Sequence, residues 1–481
     1  MRICLINPAP IKVGKSENET LFYASSPPLG LIYIATYLNN SGHKIIILDQ
    51  AAMYLTNEDI VKKVKTFDPD IIGFSVLNAS LDNAKIISKK LKEWNPNLII
   101  IFGNYPATFY PNRILETYDW VDICVRGEGE KTFKEIVDSM EKQGDLSNIR
   151  GITYRKNDNI YHNEIRNNIE DLDSLPHPNR DLVLDVYKNR IGGIDVSNRK
   201  FTTIVSSRGC PYSCNFCGCT SFSNGKWRTR SVDNILDEIL LLADDGYEEI
   251  LFVDDNFTLS KKRILSLCKA IRKEKLDIVF TCDGRVNNSS LSLLRSLHKT
   301  NFKMIMFGIE SASQRMLNYY NKRITPNMSE KAVENARKAG FEFIIGSFMI
   351  GGLDESYSEA IKTLNLISRL DIDFPYIIFP RALPGTPLFK NLVESEIISE
   401  DKYWETGVDL IDLPEAIMNR DIIYKMIKEQ FRIKFFRPSY LLKAFYRTLV
   451  NKYRREIIFN HLSFKDFDQF IKIINNPPNL F

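Results

Sequence analysis

Short, continuous apolar runs alternate with amphipathic helical stretches over two long parts of this chain, and that alternation leaves few folds open. Strands buried on both faces read as unbroken Val/Ile/Leu runs, and each needs a helical crossover to reach a parallel neighbour. In the first part the expected strands are Ile3–Ile6, Lys44–Leu48, Ile71–Val76, Leu98–Phe102 and Val121–Val125. The expected helices are Leu29–Asn40, Asn57–Thr66, Asp82–Trp94 and a stretch starting near Glu130. The pattern predicts an α/β, Rossmann-like, doubly wound parallel sheet over residues 1–140. Ligands on such sheets bind outside the carboxyl ends of the strands. Those ends carry Asn7-Pro8-Ala9-Pro10, Asp49-Gln50-Ala51, Ser75-Val76-Leu77-Asn78, Gly103-Asn104-Tyr105 and Arg126-Gly127-Glu128-Gly129-Glu130.

Residues 141–195 read as a hairpin and linker. Gly151–Arg155 and Ile160–Asn163 flank the turn-forming Asn157-Asp158-Asn159, and Asp173-Ser174-Leu175-Pro176-His177-Pro178 breaks regular structure. His177, between two prolines, is a loop residue, and His43 after Gly42 reads as a helix C-terminal feature. Alternation returns over residues 196–400. Thr202–Ser206, Ile250–Val253, Ile278–Cys282, Met304–Gly308, Phe343–Met349 and Tyr376–Phe379 are expected strands, with amphipathic stretches near 232–245, 260–274, 289–299, 327–339 and 356–370. Ser231, with Asp233 behind it, is expected to cap a helix.

Directly after the first strand of this second part comes Ser207-Arg208-Gly209-Cys210-Pro211-Tyr212-Ser213-Cys214-Asn215-Phe216-Cys217-Gly218, a C-x3-C-x2-C loop. Soft thiolates at such spacing select zinc or iron–sulfur clusters. A 4Fe–4S cluster ordinarily takes four thiolates, so three on one loop leave an iron open to bind a small molecule. Structural zinc needs a fourth ligand, and Cys219, two residues beyond Cys217, is poorly placed to close a tetrahedron. The cluster reading stands ahead of zinc. Cys4, Cys124, Cys268 and Cys282 are scattered singly in apolar runs and read as small buried hydrophobes.

The loop resembles the signature of radical S-adenosylmethionine (SAM) enzymes, and residues 1–450 resemble members with an N-terminal cobalamin-binding domain. The second similarity rests on Pro27-Pro28-Leu29-Gly30-Leu31 through Gly42-His43 and Asp49, and on Arg126–Glu130. It implies a partial (β/α)6 TIM-like barrel, with Cys210, Cys214 and Cys217 holding a 4Fe–4S cluster whose open iron chelates SAM. It also implies reductive cleavage of SAM to a 5′-deoxyadenosyl radical. Phe216, Asp255, Arg285, Glu310 and Ser311 become SAM-binding candidates. Pro8, Asp49, Ser75, Asn78, Gly103, Asn104, Gly127 and Glu128 become cobalamin-binding candidates. The chain departs from the better-known D-x-H-x-x-G cobalamin motif, because Asp49 is followed by Gln50-Ala51-Ala52-Met53-Tyr54. Asn104 and Pro106 are further departures. Many relatives lack that histidine too.

Methylation of an unactivated carbon is the expected reaction, with cobalamin-free cyclisation or rearrangement as the alternative and a non-catalytic iron–sulfur redox or sensing module as a different class. An electron donor such as a flavodoxin or ferredoxin is the implied partner, and the substrate could be a small molecule, a peptide or a lipid. The 481 residues make two or three domains. A composition 44% hydrophobic and 26% charged is that of a soluble globular protein, and a net charge of +4 gives no case for nucleic acid. With no spanning stretch and no secretory signal, a cytoplasmic location is expected. Residues 401–481 read as a helical segment. Eight basic residues and no acidic one fall between Arg432 and Arg455, read as a cap on the barrel mouth with a solvated basic face. Peripheral membrane contact is the lesser reading.

Overall fold

The computed structural model describes residues 1–10, 26–39, 42–191, 194–405 and 420–460. Asn40, the expected end of one helix, and residues 461–481 of the tail lie outside the described residues. By internal contacts the chain forms two compact units. The first comprises residues 1–187, 217–229 and 382–411; the second comprises residues 188–216, 230–381 and 412–481.

The first unit is built on a seven-stranded sheet. Its strands are β1 (Arg2–Asn7), β2 (Lys44–Asp49), β3 (Ile71–Ser75), β4 (Ile99–Gly103), β5 (Ile123–Val125), β6 (Ile152–Lys156) and β7 (Asn159–His162), in the order β2-β1-β3-β4-β5-β6-β7. The first five pair in parallel, and β6 and β7 add antiparallel to the edge. Helices α1 (Leu29–Asn39) and α4 (Glu130–Glu141) pack together, as do α2 (Asn57–Phe67) and α3 (Leu81–Trp94). The hairpin expected in the linker therefore belongs to this sheet. Its turn residues Asn157 and Asp158 both have positive φ, 48° and 62°, the conformation of a tight hairpin turn matched to strand twist. His43 does not cap α1. It is buried, and its Nδ1 lies 3.4 Å from both the amino terminus and Glu141 Oε1.

The second unit carries six parallel strands in sequence order: β8 (Phe201–Ile204), β9 (Glu249–Phe252), β10 (Val279–Arg285), β11 (Phe302–Glu310), β12 (Phe343–Met349) and β13 (Phe374–Ile378). Helices α6 (Val232–Asp244), α7 (Lys261–Glu274), α8 (Leu291–Lys299), α9 (Pro326–Ala339) and α10 (Tyr357–Arg369) cover the outer face, numbering the first unit's short Gly218–Ser223 helix as α5. One core joins Phe252, Phe280, Cys282, Ile305, Phe307, Ile344 and Phe348 to the buried sides of these helices. Because successive strand residues face opposite ways, the alternate set turns to the inside of the partial barrel. Val279, Met304 and Ile345 form a separate cluster there with Val196 and Tyr453. Ser231 caps α6 as expected, accepting from the Asn234 backbone N–H at 3.1 Å.

The C-terminal helices are α11 (Arg420–Phe435), α12 (Pro438–Val450) and α13 (Lys452–Asn460). They close the barrel at the amino ends of its strands rather than at the mouth next to the cysteine loop. Tyr453 Oη lies 3.2 Å from Glu249 Oε1 at the start of β9. Arg454 donates to the Glu342 carbonyl at 2.7 Å and to Asp373 Oδ1 at 2.6 Å, ahead of β12 and β13.

Gly73 in the middle of β3 leaves the space that Phe133 of α4 fills. A Cβ there would stand 2.8 Å from the Phe133 ring and 2.9 Å from Leu5. Gly73→Ala is expected to destabilise the first unit by about 1–3 kcal/mol through overpacking, read as a lower urea midpoint. Phe133→Leu in the same chain should restore part of the loss.

Candidate active site

At the carboxyl end of the first unit's sheet, the loops are braced by amide side chains. The backbone N–H of Ala9 donates to Gln50 Oε1 at 2.8 Å, and Gln50 Nε2 donates to Asn57 Oδ1 at 2.7 Å. Asn83 Nδ2 donates to the Ala9 carbonyl at 2.8 Å, closing the ring of contacts. Pro8 is buried beside this brace. Asp49, also buried, accepts from Tyr187 Oη at 3.1 Å and the Ala52 backbone N–H at 3.3 Å. Burial pushes its carboxyl above the usual range. Asn104 takes a left-handed backbone (φ 78°) and donates from Nδ2 to Ser75 Oγ at 3.1 Å, joining two strand ends. Gly127, with φ 76°, donates its backbone N–H to Thr108 Oγ1 at 3.0 Å.

Several features here fit a large bound group. A Cβ on Gly127 would meet nothing within 4 Å, and one on Gly103 only the Phe74 carbonyl at 3.8 Å. The Asn78 carboxamide bonds to no described residue. Ser75, Asn78, Gly103, Asn104 and Gly127 all stand in loops at the carboxyl ends of this sheet's strands, where such folds bind ligands. Glu128 does not face it: its carboxylate accepts from Arg228 Nη1 at 2.8 and 3.0 Å and from the Ile169 backbone N–H at 2.6 Å. Both oxygens are spent inside the fold, which corrects the expected role of Glu128. The same first-unit segment holds Cys217, which precedes α5, and Cys219, whose Sγ receives Tyr105 Oη at 4.0 Å.

In the second unit the cysteine loop is tied to the carboxyl ends of the strands. Gly209, at φ 86°, donates its N–H to Asp255 Oδ2 at 2.7 Å. The Asn215 backbone N–H donates to the Tyr320 carbonyl at 3.1 Å, and its Nδ2 donates to the Tyr319 carbonyl at 2.6 Å. Asn321 Nδ2 donates to the Ser213 carbonyl at 2.7 Å. Two side chains aim N–H groups at sulfur: Asn256 Nδ2 lies 3.8 Å from Cys210 Sγ, and Arg285 Nη1 lies 3.6 Å from Cys214 Sγ. Cys4, Cys124, Cys268 and Cys282 are buried, and burial pushes their thiols up, as expected of space-filling cysteines.

Arg285 is stacked 3.8 Å above the Tyr212 ring centroid and also donates to the Lys322 carbonyl. The sequence reading gave it to a SAM carboxylate; the fold gives its guanidinium to the loop. Lys322 Nζ pairs with Glu310 Oε1 at 2.5 Å, and both side chains are buried. Glu310 sits at φ 66°, and a Cβ on Gly308 would come 2.7 Å from its Oε1 and 2.8 Å from Lys322 Nζ. Phe216 packs edge-on against Tyr320 at 5.5 Å and joins Met316 and Met349. Ser311 is the clearest correction on this side. It is fully buried, bonded to Thr363 Oγ1 at 3.1 Å and to the Ser313 N–H at 3.0 Å, so it anchors α10 instead of facing a ligand.

Asp254, next to the expected Asp255, is buried and receives the Ser206 backbone N–H at 2.7 Å and Ser206 Oγ at 2.6 Å. Sequence reading missed Lys322 as the partner of Glu310, and it missed Asp283 altogether. On β10 the core-facing residues Phe280 and Cys282 put Thr281, Asp283 and Arg285 on the barrel's inner face. The Asp283 backbone pairs with β11 at Met306, and its carboxyl lies within the field of Asp254. Burial, with the charge of Asp254, pushes its carboxyl up to about 7. The period-two pattern of the strand would have revealed that placement.

Arg285→Met is expected to lower iron retention and to shift the cluster's reduction potential to more negative values, since hydrogen bonds to cluster sulfurs are among the features that set it. Arg285→Lys should not restore either property, because one ammonium cannot serve sulfur, ring and carbonyl together. Iron analysis and a potentiometric titration read both, and unchanged values would remove Arg285 from the site.

A family model described as Radical SAM superfamily matches residues 204–367, and one described as B12 binding domain matches residues 22–137. An uncharacterized methyltransferase of Pyrococcus horikoshii is 33% identical over 446 residues, spanning 92% of this chain and 94% of its own length. The anaerobic magnesium-protoporphyrin IX monomethyl ester cyclase of Rubrivivax gelatinosus is 25% identical over 432 residues, spanning 87% of this chain and 75% of its own. Among solved structures, the radical SAM methyltransferase TsrM of Kitasatospora setae, with cobalamin and a 4Fe–4S cluster bound, is similar at a TM-score of 0.67 and 16% identity. That match covers 82% of this chain and 78% of TsrM, and at that identity the likeness is one of fold.

Proposed function

The chain belongs to the radical SAM enzymes that carry a B12-binding domain, and on that premise we propose that it methylates an unactivated carbon of a substrate held inside the second unit's barrel. Its cofactors are a 4Fe–4S cluster, SAM and cobalamin, which together supply a 5′-deoxyadenosyl radical and a carried methyl group. Cys210, Cys214 and Cys217 hold the cluster in this reading. Asn256 and Arg285 aim N–H groups at the Cys210 and Cys214 sulfurs, and Asp255 holds the loop backbone at Gly209. Phe216 and the Glu310–Lys322 pair present the SAM-facing surface at the strand ends. Ser75, Asn78, Gly103, Asn104 and Gly127 receive cobalamin. The electron donor is a flavodoxin or ferredoxin.

The observation that carries methylation is the likeness, over nearly the full length of both chains, to the Pyrococcus horikoshii methyltransferase. Likeness to the Rubrivivax gelatinosus cyclase at 25% identity favours ring closure as the second reading. Product accounting separates them. Methylation should yield S-adenosylhomocysteine alongside 5′-deoxyadenosine, whereas cyclisation should yield no S-adenosylhomocysteine.

Asp283 supports a polar substrate. With its carboxyl pushed up to about 7, it is protonated below that pH and can donate a hydrogen bond to a substrate carbonyl or hydroxyl. Raising pH through 7 removes that donor. Turnover should therefore fall above pH 7, chiefly through a higher KM, while Asp283→Asn should flatten the profile and leave SAM cleavage without substrate unchanged. The raised value also means that the folded state binds this proton more tightly than the unfolded chain does. Its contribution to stability is full below the ordinary value of 3.8 and fades as pH climbs through 7. Asp283→Asn should accordingly raise Tm at pH 8 relative to the parent chain.

A further inference from the structure

Helix α12 is built inside out. Residues advance 100° each around a helix, so Tyr440, Ala444, Arg447 and Thr448 share one side, and that side faces the protein. Tyr440 Oη donates to the Asp373 carbonyl at 3.1 Å, Arg447 grips Asp371 through two bonds of 2.9 and 2.6 Å, and Thr448 is buried. The opposite half carries Leu441, Leu442, Phe445, Tyr446, Leu449 and Val450, exposed by 49% to 70%. A helix packed on a globular protein ordinarily turns its apolar stripe inward. The end of α11 adds exposed Ile433 and Phe436. The expected solvated basic face is thus an apolar one, because Lys434, Arg447 and Arg454 are drawn inward to carbonyls and carboxylates.

The cations that remain outside border this surface. Arg432, Arg437 and Lys443 are exposed, and no acidic residue occurs between Arg432 and Arg455. We propose that α12 lies in the plane of an anionic phospholipid membrane, with the six apolar side chains at the headgroup boundary and Arg432, Arg437 and Lys443 on lipid phosphates. Thirteen residues make a helix of about 20 Å, and no described helix is long and apolar enough to cross a bilayer, so contact is interfacial. A second copy would set these cations against their own kind, and a neutral apolar partner would leave them unmatched. An anionic lipid surface meets both the apolar half and its basic border. The proposal is independent of the reaction assigned above.

Flotation of the full, cofactor-loaded chain with vesicles tests it. Binding is expected to vesicles of equimolar phosphatidylcholine and phosphatidylglycerol, with little to phosphatidylcholine alone, and it should weaken with added salt. Leu442→Glu with Phe445→Glu should cut partitioning at least tenfold with Tm unchanged, since both side chains point outward. Arg437→Gln with Lys443→Gln should cost about fivefold per cation removed. A chain that stays in solution with anionic vesicles overturns the proposal, as does equal partitioning of the glutamate variant. Two further outcomes also overturn it: binding that appears only after residues 461–481 are deleted, which makes that segment the cover, and a dimer that the glutamate variant dissociates.

Discussion

The cysteine loop is held from outside itself, by bonds to its backbone and by N–H donors that reach its sulfurs. In the second unit that work falls largely to Arg285, whose guanidinium serves Cys214 Sγ, the Tyr212 ring and the Lys322 carbonyl at once. Lys322 passes the constraint on to Glu310 through a buried ion pair. Breaking such a pair would strand a buried charge, so the positions of Glu310 and Arg285 depend on each other. Gly308 is part of the same arrangement, since any side chain there would displace both members of the pair. The left-handed backbone of Glu310 is the local strain this packing sustains, and strain of that kind gathers at functional strand ends.

The parallel strands of both sheets were legible mainly from their short apolar runs, and the caps because Ser231 and its like precede helices in a recognisable way. The cysteine loop was legible from spacing alone. The hairpin at residues 152–162 was legible as a hairpin, yet nothing local says that it extends a sheet whose other strands are parallel. Side-chain allegiance was the harder part. Arg285, Glu128 and Ser311 each stand where a ligand contact is expected, but long-range partners claim them: Cys214 from 71 residues away, Arg228 from 100 and Thr363 from 52. A polar residue at a strand end is equally suited to hold a ligand or to hold the loop beside it, and only the fold decides which.

Ala51 stands where the D-x-H-x-x-G pattern has its histidine and is buried against Ala9, and Gln50 beside it braces the loop. The residue after Asp49 is almost completely buried, and its carboxamide accepts from the Ala9 N–H while donating to Asn57. A carboxamide does both at once, as a brace between two strand-end loops must. The loop therefore offers no imidazole and no free amide to a metal, and what it contributes to the site is a fixed rim. At the pattern's histidine position the side chain is only the methyl of Ala51.

The barrel divides its labour between its two ends, and the division explains the tail. At the carboxyl ends of the strands the lining is polar and holds the cysteine loop. At the amino ends, Tyr453 and Arg454 of α13 close the opening against Glu249, Asp373 and the Glu342 carbonyl. That seal, with the Arg447–Asp371 pair and the Lys434 contacts to the Ile367 and Leu370 carbonyls, spends the tail's cations on the barrel. Having anchored through its polar side and Tyr440, α12 leaves its apolar side exposed. An exposed apolar half-helix is thus a direct consequence of closing the barrel with a basic segment, and its persistence in water calls for a surface that buries it.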